Sequence, residues 1–199
     1  MNSPACKSKY LILVISLLIC TISTAQDSGQ FGFKGGLNVT TLGNTDAGQS
    51  AKLGYNVGFY GEKRYYQELG VQAELLISLQ GARSTNFNDL RLNYTYLVLP
   101  IFANMYFSEG AAFELGLQPG YLIRAIQSDG GNKINIRESV NNFDLSGVLG
   151  LSYSKLFGKI GIRYVLGITN TNGTWFTFDT NTKNKVLQIY LSKPLVTYE

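Results

Sequence analysis

Large apolar and small polar residues alternate with a period of two along most of the chain, most clearly from Phe113 to Arg124. One face carries Phe113, Leu115, Leu117, Pro119, Tyr121 and Ile123, and the other Glu114, Gly116, Gln118, Gly120, Leu122 and Arg124. Successive side chains of a strand point to opposite faces, so this stretch reads as a strand and not a helix. The polar face decides the setting. It is built mostly of Gly, Gln, Ser and Asn, where a face washed by water would carry long Lys and Glu side chains. Small polar residues suit a narrow, crowded lumen, with the apolar face turned to lipid. The pattern predicts a membrane β-barrel.

Eight such strands are predicted, at Phe31–Thr40, Leu53–Glu62, Glu68–Gln80, Asp89–Tyr106, Ala112–Ile126, Asn142–Tyr153, Lys159–Thr169 and Lys185–Lys193. Most are about ten residues or longer, enough to cross a bilayer at a tilt. Their connections alternate in length: those around Gly43–Lys52, Gly81–Asn88, Gln127–Asn141 and Asn170–Asn184 are long, and those at Lys63-Arg64, Phe107–Ala111 and Ser154–Gly158 are short. Short periplasmic turns and longer outer loops produce this order. An even strand number closes the barrel with both ends on one side and removes exposed edges. The fold class is therefore all-β, an eight-stranded antiparallel up-and-down transmembrane β-barrel, with Pro194 expected to end its last strand.

The start of the chain reads as an export leader. Lys7 and Lys9 precede an apolar run from Leu11 to Cys20, and Ser23-Thr24-Ala25 supplies small residues for cleavage. The run is too short for a retained helix, which needs about 20 residues. Ile19 stands before Cys20, where a lipid-attachment site wants a small residue. Residues 1–25 are thus a signal peptide and 26–199 an outer-membrane barrel domain. Both cysteines, Cys6 and Cys20, fall in the leader, so the exported chain has no thiol chemistry. Removing Lys7 and Lys9 lowers the formal net charge from +4 to +2, a balance with no nucleic-acid footprint. Charged residues are 15% and aromatics 13%, against about 25% charged in a soluble domain. Few charges and many Tyr and Phe suit a lipid-facing surface with aromatic girdles, to which Tyr55, Tyr94, Tyr96, Tyr121, Tyr153 and Tyr164 are assigned.

The chain contains no histidine. That removes Ser-His-Asp catalysis, histidine metal ligation and the usual neutral-pH general base, and no cofactor or enzyme activity is expected. Inward carboxylates Glu74, Glu114 and Asp144 could form a glycosidase-like acid/base pair. The stronger reading counts charges: Lys34, Arg91, Arg124 and Arg163 are also expected to point inward, with Glu62. Four cations and four anions in one narrow lumen make a charge-balanced plug, since an unpaired buried charge is costly. The glycines at Gly32–Gly36 lack a following Gly-Lys-Ser/Thr and are not a phosphate loop. Asp129-Gly130-Gly131-Asn132 lacks the further carboxylates of a calcium loop. Trp175, Phe176 and Phe178 lie in the last long loop, as a girdle above the membrane or a ligand-contact patch.

Several runs together resemble a known family: Phe31-Gly32-Phe33-Lys34-Gly35-Gly36-Leu37-Asn38, then Val71-Gln72-Ala73-Glu74-Leu75 with Ser78-Leu79-Gln80-Gly81. Leu92-Asn93-Tyr94 leading to Leu99-Pro100, Gly116 to Gly120, Ile162-Arg163-Tyr164 with Gly167-Ile168-Thr169-Asn170, and Gln188-Ile189 continue it. The chain resembles the outer-membrane β-barrel family common in the Bacteroidetes, labelled porin-like or PorT-like. That resemblance implies an outer-membrane location and barrel-insertion machinery as a partner, but no defined activity. The leading expectation is a barrel with a plugged lumen, embedded in outer-membrane lipid, whose extracellular loops serve a structural or surface-interaction role. A narrow porin-like channel or a secretion-associated barrel is the alternative, and a soluble eight-stranded carrier comes third. Eight strands leave an interior that side chains fill, which disfavours an open pore.

Overall fold

The computed structural model describes residues 28–42, 49–84, 91–129, 132–155, 158–169 and 183–198. These form β1 (Gly29–Leu42), β2 (Gln49–Ser50), β3 (Lys52–Arg64), β4 (Leu69–Ser84), β5 (Arg91–Val98) and β6 (Ile101–Tyr106). They continue with β7 (Ala111–Asp129), β8 (Asn132–Asn135), a 3-10 turn at Arg137–Ser139, β9 (Phe143–Lys155), β10 (Gly158–Gly167) and β11 (Asn184–Tyr198). Every pairing is antiparallel. The wall runs β4-β3-β1-β11-β10-β9-β7-β5, and β5 pairs back onto β4, so the sheet closes. Closure satisfies every ladder within the wall, which a bilayer demands.

Eight staves make the barrel. β5 and β6 are one stave interrupted at Leu99-Pro100, and the ladder bridges the gap: Glu74 N–H donates to Pro100 O at 2.9 Å and Leu99 N–H to Pro119 O at 2.9 Å. β2 and β8 are short extensions hydrogen-bonded to β4 and β7 at the end where the connections are long.

Alternation sorts the two faces as the period of two requires. Leu117, Leu149, Leu191 and Ile162 point out and are 45–64% exposed, while Glu114, Gln118, Ser146, Arg163 and Gln188 are buried in the lumen. An apolar belt of this size around a whole molecule is a membrane surface. Tyr55, Tyr121, Tyr153 and Tyr164 point outward as expected of a girdle.

Three sequence expectations are corrected. Pro194 does not end the last stave: a bulge beside it pairs Phe31 with Val196 and Gly32 with Pro194, and β11 continues to Tyr198. An extra residue on one strand absorbs the missing N–H of proline. Tyr94 and Tyr96 are not girdle residues; both are buried in the lumen in an apolar cluster with Leu76, Val98 and Leu122. Arg91 and Arg124 are not lumen residues; both are exposed on the outer face. On β5, Arg91, Asn93, Thr95 and Leu97 face out and Tyr94, Tyr96 and Val98 face in, so its residue types do not betray which way it faces. In β7, Thr95 pairs with Arg124 but Tyr96 pairs with Leu122, leaving Ile123 as a bulge that turns Arg124 outward.

Candidate functional site in the barrel lumen

Four ionised side chains meet at mid-height of the barrel. β1 brings Lys34, β4 Glu74, β7 Glu114 and β10 Arg163, and none is more than 2% exposed. Lys34 Nζ donates to both oxygens of Glu74, at 2.7 and 2.8 Å. Arg163 Nη1 donates to Glu74 Oε2 at 2.9 Å, and its Nε donates to Glu114 Oε2. The Tyr190 hydroxyl donates to the other Glu114 oxygen at 2.5 Å. Aromatic faces complete the cations' surroundings: Lys34 Nζ lies 3.7 Å from the Tyr190 ring centre, and the Arg163 guanidinium 4.1 Å from Phe102 and 4.3 Å from Tyr190. Two cations and two anions make the cluster neutral, and charge-assisted bonds offset part of what dehydration costs.

Two glycines make room for it. A Cβ at Gly150 would lie 2.8 Å from Arg163 Cγ and 2.9 Å from Glu114 Oε2, and one at Gly161 would lie 2.4–2.5 Å from the ring and hydroxyl of Tyr190. Glycine on the lumen face is thus the space that the ion pairs occupy.

A second layer lies toward the short turns. Lys159 Nζ donates to Glu62 Oε2 at 2.7 Å and to Gln72 Oε1 at 2.9 Å. Asn104 donates to both Glu62 Oε1 and Gln72 Oε1 at 3.0 Å, Gln30 donates to Glu62 at 2.7 Å, and the Tyr106 hydroxyl also donates to Glu62. Gln72 joins the layers, since its amide N–H₂ donates to Glu74 Oε1 at 2.5 Å. The network therefore runs unbroken from Glu62 to Glu114. Toward the long connections most lumen side chains are neutral: Asn56 donates to Asn38, Asn38 to Ser78, and Thr40 to the Gly81 carbonyl at 2.6 Å. Asp144 is held there by neutral donors, Ser146 Oγ at 2.8 Å and Asn184 Nδ2 at 3.3 Å.

Of the eight expected lumen charges, Lys34, Glu62, Glu74, Glu114, Asp144 and Arg163 lie in the lumen, and Arg91 and Arg124 do not. Sequence reasoning missed Lys159 and Tyr190. Both were available from parity, as Lys159 shares a face with Gly161 and Arg163, and Tyr190 with Gln188 and Ser192. Trp175, Phe176 and Phe178 lie outside the described residues. Each carboxylate of the two charged layers is engaged by cations and neutral donors.

No curated protein matches the sequence. Among solved structures, the chain is similar to Neisserial surface protein A, with a TM-score of 0.56 at 12% identity over 84% of this chain and 99% of that one. It is similar also to Ail, the attachment invasion locus protein of Yersinia pestis, with a TM-score of 0.55 at 12% identity, over 84% and 99%. Ail in complex with the heparin analogue sucrose octasulfate gives 0.52 at 11% identity, over 85% and 99%. At these identities the likeness establishes the fold. The family described as outer membrane protein beta-barrel domain matches residues 24–173, more than half of the chain, and the protein belongs to that family.

Proposed function

We propose that this outer-membrane protein is a sealed barrel that acts through the surface at its long-connection end, in a structural or surface-interaction role. The observation that carries the proposal is the neutral, buried network from Glu62 to Glu114, whose bonded side chains cross the bore from wall to wall. Supporting it, Ail, of similar fold, is seen with a heparin analogue, which suits a role outside the bore. The reading carries no catalysis, and its partners are lipid, the barrel-insertion machinery and a surface or secretion partner not yet identified. Residues 1–25 are read as a leader removed on export and 26–199 as the barrel domain. The residue runs quoted above favour the porin-like or PorT-like branch of the family common in the Bacteroidetes.

Cysteine labelling tests the orientation on which surface action depends. Cys6 and Cys20 lie in the leader, so an introduced cysteine is the only thiol of the exported chain. On intact cells a membrane-impermeant maleimide is expected to label Asn132→Cys, at the long-connection end, and to spare Ser108→Cys, in a short turn. Labelling of Ser108→Cys with protection of Asn132→Cys would overturn the orientation and the surface role with it.

A further inference from the structure

The outer face of the barrel carries a basic pocket that the lumen does not explain. Its wall is β4, β5, β7 and β8 near the long-connection end. Cross-strand pairing sets Arg83 beside Arg91, Arg91 beside Ser128, Ser128 beside Lys133, and Thr95 beside Arg124. Arg124 and Lys133, both exposed, line one cavity of about 270 Å³ together with Asn93, Thr95 and Ser128, over a floor of Leu79 and Ile126. Among the residues whose side chains are described, no acidic residue lies on this outward face of β4, β5, β7 or β8. Arg124 and Lys133 at one cavity repel each other, and an anion bound between them would relieve that repulsion.

Two features give the anion's character. Directly below the pocket the outward face is apolar, with Ile77, Leu97 and Ile123 all 40% exposed or more. The pocket therefore straddles the upper border of the lipid-facing belt, where headgroups lie. Its own lining repeats that split, with Leu79 and Ile126 below and Arg124, Lys133, Asn93, Thr95 and Ser128 available to donate hydrogen bonds. The bulge at Ile123 is what brings Arg124 here, since unbroken alternation would turn it into the lumen beside Leu122. Arginine presents a planar fork that matches phosphate oxygens.

We infer that this pocket binds the phosphate of an amphipathic, phosphate-bearing lipid of the outer leaflet, with Arg124 and Lys133 clamping the phosphate and Leu79 and Ile126 lying against the first acyl carbons. The inference rests on the orientation proposed above, and its test in isotropic micelles reads the site independently of that orientation. Purified protein in a zwitterionic detergent is mixed with diphosphoryl lipid A, and retained lipid is read by native mass spectrometry. One lipid per barrel is expected on the wild type. Arg124→Gln with Lys133→Gln should lower retention at least tenfold, whereas Lys155→Gln with Lys193→Gln, exposed at the opposite end, should leave it unchanged. Unboiled gel mobility confirms that each variant is folded, and Arg124→Lys, which keeps the charge, should retain intermediate binding. Equal retention by wild type and the Arg124/Lys133 variant would overturn the inference. So would equal retention of dephosphorylated lipid A, or full displacement by millimolar inorganic phosphate, which would mark a free-anion site.

Discussion

Replacing Arg163 by methionine probes the lumen network at its most connected point. The guanidinium bonds Glu74 and Glu114 and lies over two rings, so its loss leaves Glu114 with the Tyr190 hydroxyl and Glu74 with Lys34 and Gln72. Methionine keeps much of the volume, so the cavity contribution is small and the orphaned charge dominates. Removing one partner of a buried pair costs about 3–5 kcal/mol, and the lost contacts to Phe102 and Tyr190 push toward the upper end. The assay is a urea titration in phospholipid vesicles, scored by the fraction that stays folded on unboiled gels. Lys193→Met is the control: it is exposed and outside the lumen network, and its change should stay within about 0.5 kcal/mol. Adding Glu114→Gln to Arg163→Met should recover stability, because it removes the stranded carboxylate and leaves Lys34 and Glu74 as a balanced pair. Equal costs at Arg163 and Lys193, or a double variant as destabilised as the sum of its parts, would refute the reasoning.

Two further outcomes are expected from the wall. Gly161→Ala must displace the buried Tyr190 ring and should cost about 1–3 kcal/mol, whereas Gly147→Ala, with nothing within 4 Å of its added carbon, should be close to neutral in the same titration. Leu117→Arg places a charge on the lipid face of a residue 52% exposed there, and near the bilayer midplane should cost about 2–4 kcal/mol.

The staves were legible because side-chain direction in a strand has a strict period and the two solvents of this molecule differ so sharply. β7, β9 and β10 state their own faces. The misreadings fall where that contrast fails. β5 offers Leu97 to lipid and Tyr94, Tyr96 and Val98 to the lumen, so tyrosine taken as a girdle residue by type went to the wrong side. Arg124 obeyed parity in the sequence, but parity does not survive a bulge, and Ile123 carries no mark of one. Most of the lumen charges were readable from burial cost alone. Which carboxylate meets which cation was not, since Lys34 and Glu74 stand 40 residues apart and only the closed register brings them together. Lys159 opens its stave beside a short turn, where an exposed lysine would be equally at home.

The central claim is that the bore is filled. Its most direct test is current across planar bilayers containing the purified wild-type protein in molar potassium chloride. The account predicts no steady conductance above the bare membrane, and none gained on Arg124→Ala, which lies outside the lumen. A reproducible step of defined size in the wild type, with ion selectivity that shifts in Arg163→Met, would contradict it and make the protein a narrow channel.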